Sequence, residues 1–457
     1  MTSTSTNPPG AHAPASEALS VPAVPAPAAA YDGGWSLRSM YALALLTLAY
    51  AFNYFDRLLI SLLFPLIQKD LQLTDTELGL VTGVAFVLVY AVMGIPVARL
   101  ADRWNRKAII GIGFSFWSAM TVMTGFVSNV WQLAATRFLM GAGESAGTPP
   151  STSMLSDIFD KKRRPLAFSI MVSGTAISGL ILTPIAGWIG HLYGWRITYW
   201  IAGGVGLFLG LLLMFTVREP LRGTFDPAPK SADDTKPSFG PSLAFLLKRR
   251  TYVFATLGAA LVTISFYAHV VWSTTFMLRV HGMDVAQSAS LLGPIRGIAG
   301  LVGALSGGVL MTRLLRFDER WRIWLPAICF TTVGLSQYVF LFAPSIPLVA
   351  LGAAIDSMAA SMMVPLLSLL LIQVMPVSIR SFGMALYVLS IAILGQIIGP
   401  LGVGWLNDQL AIIWQEEAIR YSMSITALVG VIAGPIMMLA GRSLLQDTSH
   451  AQEWQGQ

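Results

Sequence analysis

The chain alternates between long apolar blocks and short polar segments. Blocks such as Met40 to Leu66 and Leu78 to Val97 approach the roughly 20 residues that a helix needs to cross a bilayer. We number the predicted spans from 1 to 12, at 40–67, 77–98, 107–127, 130–156, 164–190, 195–217, 251–278, 286–312, 321–342, 345–374, 379–407 and 418–442. The pattern predicts an all-α membrane protein with twelve transmembrane helices.

A polar stretch between span 6 and span 7 divides the spans into two groups of six. We therefore predict two pseudo-symmetric six-helix bundles, at 38–220 and 250–443, joined by a cytoplasmic linker at 221–249. The Pro- and Ala-rich segment 1–37 has no continuous apolar core and is predicted to be a disordered N-terminal tail. Residues 444–457 are predicted to be a cytoplasmic C-terminal tail.

Composition excludes an ordinary soluble domain. Hydrophobic residues make up 55% of the chain and charged residues 11%, whereas soluble domains contain about 25% charged residues. The net charge of +6 comes from short basic runs between apolar blocks, which favours a role in membrane topology over nucleic-acid binding. Cys329 is the single cysteine, so no internal disulfide is possible.

The basic residues also predict the orientation in the membrane. With both termini inside, 22 lysines and arginines lie on the inner side and four on the outer side: Lys69, Arg196, Arg279 and Arg420. Cytoplasmic loops collect such residues. We expect a multi-pass protein with cytoplasmic termini, in a bacterial inner (plasma) membrane.

The two halves resemble each other at an offset of about 216 residues. Arg164 aligns with Arg380, Gly179 with Gly395 and Pro184 with Pro400. Parallel repeats of this kind occur in transporters, although two apolar, Gly-rich helices can also resemble each other by chance.

A few ionisable residues lie inside the predicted spans. Each charge near the middle of a membrane costs about 2.5–3.5 kcal/mol on insertion scales and marks a candidate functional site. These residues are Asp56 and Arg57 in span 1, Arg137 and Glu144 in span 4, Arg296 in span 8 and Asp356 in span 10.

In span 4, Arg137 and Glu144 are two helical turns apart on one face, and Gly141 lies between them. We interpret them as a switchable pair. When Arg137 is engaged elsewhere, Glu144 is expected to take up a proton, since burial disfavours a charged carboxylate. The alternative is a permanent structural salt bridge.

In span 1, Asp56 and Arg57 point about 100° apart around the helix. One of them can face a cavity while the other faces a neighbouring helix, and Asn53 can orient either. A buried structural cluster is the alternative. Tyr267, Trp272 and Asp356 are further candidate substrate contacts, although packing is an equally ordinary role for membrane aromatics.

The loop after span 2 carries an acid and several bases. It resembles the G-x-L-x-D-R-x-G-R-R signature of the major facilitator superfamily, matched here by Asp102, Arg103, Arg106 and Lys107. The resemblance implies a cytoplasmic gate or latch of charges between helix ends. Topology alone is the competing explanation.

Four further motifs narrow the resemblance to the Spinster-type members. They are Asn53-Tyr-Phe-Asp-Arg57, Ala101-Asp-Arg-Trp-Asn-Arg-Lys107, Phe116-Trp-Ser118 and Gly141-Ala-Gly-Glu-Ser145. The resemblance implies alternating-access, proton-coupled transport of a lipid-like organic anion, such as a lysophospholipid or a sphingoid phosphate. A proton symporter of sugar acids or aromatic acids is the alternative.

The resemblance also implies roles for individual residues. Glu144, Asp56 and Arg137 are the candidates for proton coupling, and Arg57, Arg137, Asn53 and Glu144 are the candidates for substrate binding.

An enzyme is disfavoured, because the chain contains neither a Walker-type loop nor a His-Glu-x-x-His sequence. We expect no cofactor and no metal, with the proton gradient as the driving force. The expected partners are a small or lipid-like substrate, protons and membrane lipids, with no nucleic acid, and the protein is expected to be a monomer.

Overall fold

The computed structural model describes residues 31–225 and 239–454, which are almost entirely helical. The helices of the N-terminal half are α1 (Leu37–Leu71), α2 (Asp75–Thr82), α3 (Val84–Arg103), α4 (Arg106–Thr124), α5 (Val130–Glu144), α6 (Thr148–Ile158), α7 (Arg164–Val172), α8 (Gly174–Ile177) and α9 (Thr183–Thr216).

The C-terminal half follows a short helix, α10 (Phe239–Lys248). Its helices are α11 (Arg250–His281), α12 (Val285–Leu314), α13 (Trp321–Phe342), α14 (Ile346–Gln373), α15 (Arg380–Ile393), α16 (Gly399–Trp414), α17 (Ala418–Ala440) and α18 (Leu444–Glu453).

These helices confirm the predicted fold of twelve membrane-crossing segments. In the described ranges, nine continuous stretches are long and apolar enough to span a bilayer. Two of them, Arg164–Thr216 and Arg380–Ala440, contain two spans each. Helices α5 and α6 together form span 4 and complete the twelve.

Regular α-helix is interrupted at two places in the N-terminal half, one inside span 4 and one between span 5 and span 6. Span 4 is interrupted at 145–147 between α5 and α6, and Pro149 and Pro150 lie in the first turn of α6. Proline is favoured there because the first N–H groups of a helix have no internal partner. Within α9, Gly194 has a φ of 82°, which favours glycine, and it separates span 5 from span 6.

A π-helical segment occurs in each half at the same place in the repeat. Ser178–Leu182 lies in span 5 and Leu394–Ile398 lies in span 11. The two segments start 216 residues apart (394 − 178), which is the offset seen in the sequence. Each is followed within two residues by a proline, Pro184 or Pro400, which has no N–H to donate to a regular helical ladder.

The segments assigned to tails and linker also carry structure. Residues 31–36 precede α1, where the Tyr31 hydroxyl donates to the Arg218 carbonyl and Trp35 packs on Phe159. Helix α18 contacts the start of α11, because the Thr251 N–H donates to Asp447. Residues 1–30, 226–238 and 455–457 lie outside the described part of the chain.

The hydrophobic cores of the two halves are continuous at one end of the bundle and separate at the other. We call the end that carries the start of α1 the proximal end, and the end that carries His281 and Trp414 the distal end. A single apolar cluster joins the N-terminal half to distal residues of the other half, including Trp272 and Phe340. The proximal part of the C-terminal half has its own cluster, around Phe330 and Leu367.

Candidate functional site

A small cavity lies between the two halves. Its volume is about 60 Å³, enough for a few water molecules. The N-terminal half contributes Tyr54, Arg57, Leu58, Ser61, Thr82, Phe86 and Arg137, and the C-terminal half contributes Phe266, Tyr267, Val270, Val271, Gln396 and Pro400. The cavity therefore combines two guanidinium groups with an aromatic and apolar wall.

The carboxylate of Glu144 binds Arg57, one of the residues that line this cavity. Its side chain is fully buried, and its Oε2 accepts hydrogen bonds from Arg57 Nε at 2.9 Å and from Asn53 Nδ2 at 3.2 Å. Its Oε1 has no partner among the described residues. Arg57 itself is one-quarter exposed, toward the cavity. The pair thus links a buried carboxylate to a cation that a solute can reach.

Arg137 bonds to groups other than Glu144 in this conformation, so the switchable pairing of Arg137 with Glu144 stays a prediction. Arg137 NH1 contacts the Asp56 carbonyl at 3.4 Å and the Met140 sulfur at 3.1 Å. Gly141, which lies between Arg137 and Glu144 on α5, packs closely against α3, because a Cβ at this position would lie 2.6 Å from the Phe86 carbonyl oxygen. Gly141 thus lets α3 approach α5, and the ring of Phe86 packs against Arg137.

Two aromatic residues of α3, Phe86 and Tyr90, complete the site, and neither is among the candidates predicted from the sequence. The Arg57 guanidinium carbon lies 5.1 Å from the Phe86 ring centre and 4.6 Å from that of Tyr90. The Arg137 guanidinium lies 5.0 Å from the Phe86 ring. These distances fit cation–π contacts. The spacing of four between Phe86 and Tyr90, which puts both on one helix face, was the available signal.

Asp56 and Arg57 point in different directions, as their separation on the helix requires. Asp56 is 1% exposed, and its Oδ1 has no partner within the described ranges. It lies inside the N-terminal half, one residue from the cavity-lining Arg57. Asn53 orients Glu144 rather than either of these two neighbours.

The three candidates in the C-terminal half occupy different places. Tyr267 lines the cavity. Trp272 is fully buried between the halves, where its indole N–H donates to the Pro400 carbonyl and its ring packs on Phe64. Asp356 is buried within its own half and accepts from Gln337. Only Tyr267 is placed to contact a solute in this conformation.

The residues after span 2 connect helix ends within the N-terminal half. Arg106 is 2% exposed and binds Asp157 at 2.5 Å and Glu219 at 2.9 Å. The Lys107 N–H also donates to Glu219. Arg103 is exposed, and the side chain of Asp102 lies outside the described part of the structure. Arg106 therefore fastens α4 to the ends of α6 and α9.

Polar contacts join the two halves at the distal end. Arg279 of α11 donates to both oxygens of Asp75, at 2.6 and 2.7 Å. Asp408 of α16 accepts from the backbone N–H groups of Asp75 and Thr76. These N–H groups open α2 and have no partner within their own helix. The distal end is thus closed by the Arg279–Asp75 ion pair and by the hydrogen bonds to Asp408, next to the shared apolar core.

The sequence Gly143-Glu-Ser-Ala-Gly147 also fits the Gly-x-Ser-x-Gly pattern of hydrolases. That pattern functions as a tight turn between a strand and a helix. Here it joins α5 to α6, and the Ser145 hydroxyl donates to the Ala142 carbonyl at 2.7 Å. The local structure is that of a broken membrane helix rather than of a nucleophile elbow.

Comparisons with known proteins agree on one family. Residues 46–333 match the model of the Major Facilitator Superfamily. The chain is 30% identical over 378 residues to an MFS-type efflux pump of Mycolicibacterium smegmatis, covering 82% of this chain and 85% of the pump. It is 26% identical to the sphingosine-1-phosphate transporter SPNS2 of Danio rerio, over 90% of this chain and 86% of that protein.

A solved structure gives the same picture. A bacterial homologue of the human lysosomal transporter Spinster, in an inward-facing and unoccupied conformation, superposes with a TM-score of 0.79 and 26% sequence identity. The match covers 91% of this chain and 99% of the homologue.

Proposed function

Because this chain belongs to the Major Facilitator Superfamily and is similar to its Spinster-type members, we propose that it is a proton-coupled transporter of an amphipathic organic anion. It works by alternating access, in which the two halves rock about the central cavity. The observation that carries this proposal is the buried Glu144 bound to the cavity-lining Arg57.

The geometry supports a direct exchange between anion and proton. An anionic group that enters the cavity competes with Glu144 for the Arg57 guanidinium. Glu144 then loses its cation inside a low-dielectric region, where a lone carboxylate is strongly disfavoured, and binds a proton. Release of the anion reverses the exchange. Asn53 holds the carboxyl group in place in both states.

The aromatic wall supports an amphipathic substrate. Phe86, Tyr90 and Tyr267 offer rings beside the cation, where the apolar part of a solute can pack against them. The relative from Danio rerio is named as a transporter of sphingosine 1-phosphate, which has an anionic head and a long chain.

A small organic anion is the second candidate. The cavity of about 60 Å³ accommodates only a small group in the present conformation, which favours a sugar acid or an aromatic acid. A thermal-shift screen of the purified protein separates the two classes. A ligand that binds only the native state stabilises it and raises the unfolding midpoint. A rise with lysophospholipids or sphingoid phosphates supports the amphipathic substrate, and a rise with sugar acids or aromatic acids supports the small anion.

The orientation follows from the same proposal. The proximal end carries the basic runs Arg103 to Lys107 and Lys161 to Arg164, so we place it in the cytoplasm, together with both termini. A bacterial inner membrane is the proposed location. The conformation with a closed distal end is then the inward-facing one.

The coupling is tested with Glu144→Gln in proteoliposomes. Sphingosine 1-phosphate serves as one labelled probe and a sugar acid as the other. The variant is expected to lose accumulation driven by a pH gradient but to keep counterflow of the labelled probe, because the amide cannot release a proton. Glu319→Gln, in the exposed proximal loop, is the matched control and is expected to behave as wild type. Unchanged pH-driven accumulation in Glu144→Gln would refute the coupling role of Glu144.

A further inference from the structure

A second group of ionisable side chains lies inside the C-terminal half, away from the Arg57–Glu144 pair. It consists of His269 on α11, Arg296 on α12 and Asp356 on α14. His269 is 1% exposed and Asp356 is fully buried. Charged groups this deep in a membrane helix bundle are costly and mark functional sites.

The hydrogen bonds of this group are incomplete. Asp356 Oδ1 accepts from Gln337 Nε2 at 2.9 Å, but Oδ2 has no partner among the described residues. Arg296 donates from NH1 to the Ser273 hydroxyl at 2.9 Å, while its Nε and NH2 atoms find no acceptor there. Both ring nitrogens of His269 are also unpartnered in the described ranges. Buried polar atoms are rarely left in this state.

The surrounding elements leave Asp356 without a cation within ion-pair distance in the described chain. On α13, Gln337 is neutral and also accepts from the Ser265 hydroxyl at 2.8 Å, while Phe340 packs edge-on against His269 at 4.4 Å. Arg296 acts on Asp356 electrostatically but makes no direct contact with it, and Tyr54 of α1 is the group of the other half that interacts with Arg296. A buried carboxylate in this setting is stable only with a proton or after Arg296 moves toward it.

We infer that Asp356 is a second proton-binding site, located in the C-terminal half, whose deprotonated form pairs with Arg296. In the present conformation the proton occupies Oδ2. When the halves change position, the proton passes to water, and the carboxylate binds the free Nε and NH2 donors of Arg296. Only a proton is exchanged, so neither an oxidant nor a co-reactant is needed.

The inference extends the proposed function but does not depend on a known substrate. Each half would carry one buried carboxyl group with a nearby arginine: Glu144 with Arg57, and Asp356 with Arg296. Transport would then move up to two protons per cycle. Tyr54 lies three residues before Arg57 on α1 and lines the same cavity, and the charge of Arg296 acts on Tyr54 through space, so the two sites can influence each other electrostatically.

The test is infrared difference spectroscopy of the purified protein as the pH is stepped, which detects protonated carboxyl groups without any substrate. Wild type is expected to show a protonated-carboxyl band that Asp356→Asn removes. Glu144 is paired with Arg57 in the absence of substrate, so its band should appear only at lower pH and should be removed by Glu144→Gln. Asp447→Asn is the control, because Asp447 is also buried but accepts from the Thr251 N–H and lies 3.9 Å from Arg249, so its replacement should leave the Asp356 band unchanged.

An Asp356→Asn spectrum that retains every wild-type band would overturn the inference. If this variant does not fold, Arg296→Gln provides the second test. Loss of the cation should make the Asp356 band persist to higher pH, and an unchanged pH profile contradicts the assignment. Loss of the Asp356 band in Asp356→Asn supports this site whatever the pH-driven accumulation by Glu144→Gln shows, so a failure of the coupling proposed for Glu144 leaves this result standing.

Discussion

At the scale of single residues, one guanidinium determines the state of the central carboxylate. Glu144 is fully buried, and its ionic contact is Arg57 at 2.9 Å. Removing one partner of a buried ion pair costs about 3–5 kcal/mol, since the other charge is left uncompensated. The stability of the protein should therefore report on this pair directly.

Arg57→Ala is predicted to destabilise the protein at neutral pH by at most about 3–5 kcal/mol, because uptake of a proton by Glu144 relieves part of the loss. Arg57→Ala combined with Glu144→Gln should recover part of this loss, because no charge is then left unpaired. Unfolding midpoints of the two single variants and the double variant measure the coupling. Additive effects would show that the two side chains do not interact.

The positions of the membrane charges were predictable from the sequence, but their partners were not. An ionisable residue in an apolar block is visible in any hydropathy profile, which is why Asp56, Arg57, Arg137 and Glu144 were identified. Pairing depends on how helices rotate and approach one another. The contact of Gly141 with Phe86 sets that approach, and no spacing within span 4 reveals it.

At the scale of helices, Gly141 controls the packing of α5 on α3. A methyl group there would meet the Phe86 carbonyl oxygen at 2.6 Å. Overpacking of this kind typically costs about 1–3 kcal/mol. It should also displace the ring that contacts both arginines.

Gly141→Ala is accordingly predicted to lower both the unfolding midpoint and the transport rate. Gly204→Ala is the matched control, since a Cβ at Gly204 in α9 meets nothing within 4 Å. Alanine favours helix over glycine by about 1 kcal/mol, so the control should be neutral or slightly stabilising. Equal effects of the two substitutions would rule out the packing argument.

The paired π-helical segments give a second prediction at this scale. π-Helical segments are rare in proteins, and those that occur often lie at functional sites. Here they recur at equivalent places in spans 5 and 11. Pro184→Ala restores an N–H that can complete a regular helix. We expect it to slow turnover several-fold without lowering the unfolding midpoint.

Initial transport rates and thermal unfolding of the same samples check this prediction. Pro326→Ala provides the comparison, because Pro326 lies in α13 without a π-helical segment. If Pro184→Ala transports at the wild-type rate, the segment has no role in the conformational cycle.

At the scale of the whole molecule, the distal end is closed by contacts between the halves. Arg279 binds Asp75, and Asp408 binds the start of α2. Arg279→Ala is predicted to shift the population toward the outward-facing state by about tenfold, if about 1.4 kcal/mol of closing free energy is lost. The distance between spin labels at the distal ends of α2 and α16 measures the shift.

Arg196→Ala is the control for this experiment. Arg196 pairs with Asp70 at the same end, but both residues belong to the N-terminal half. Its loss should leave the distance distribution unchanged. Cys329 is the single cysteine, so its replacement frees the chain for site-specific labelling. An Arg279→Ala distribution identical to wild type would show that this ion pair does not hold the distal end closed.

The architecture at this scale was predictable because the bilayer imposes it. Apolar blocks of membrane-spanning length suffice to predict the twelve spans. The asymmetric distribution of basic residues predicts their orientation. Local breaks were harder to see. Span 4 breaks at 145–147 inside a single predicted span, and α10 and α18 are short helices in segments that hydropathy assigned to a linker and a tail.

The unequal core has an energetic consequence for the solute. Facing outward requires separation of the distal apolar surfaces around Trp272 and Phe340 and loss of the contacts that Arg279 and Asp408 make with the start of α2. The empty protein should thus rest with its binding site open to the proximal compartment. Few protein molecules then have a binding site open to the distal side. The apparent affinity for a solute on that side is reduced in proportion to the fraction of molecules in the distally open conformation.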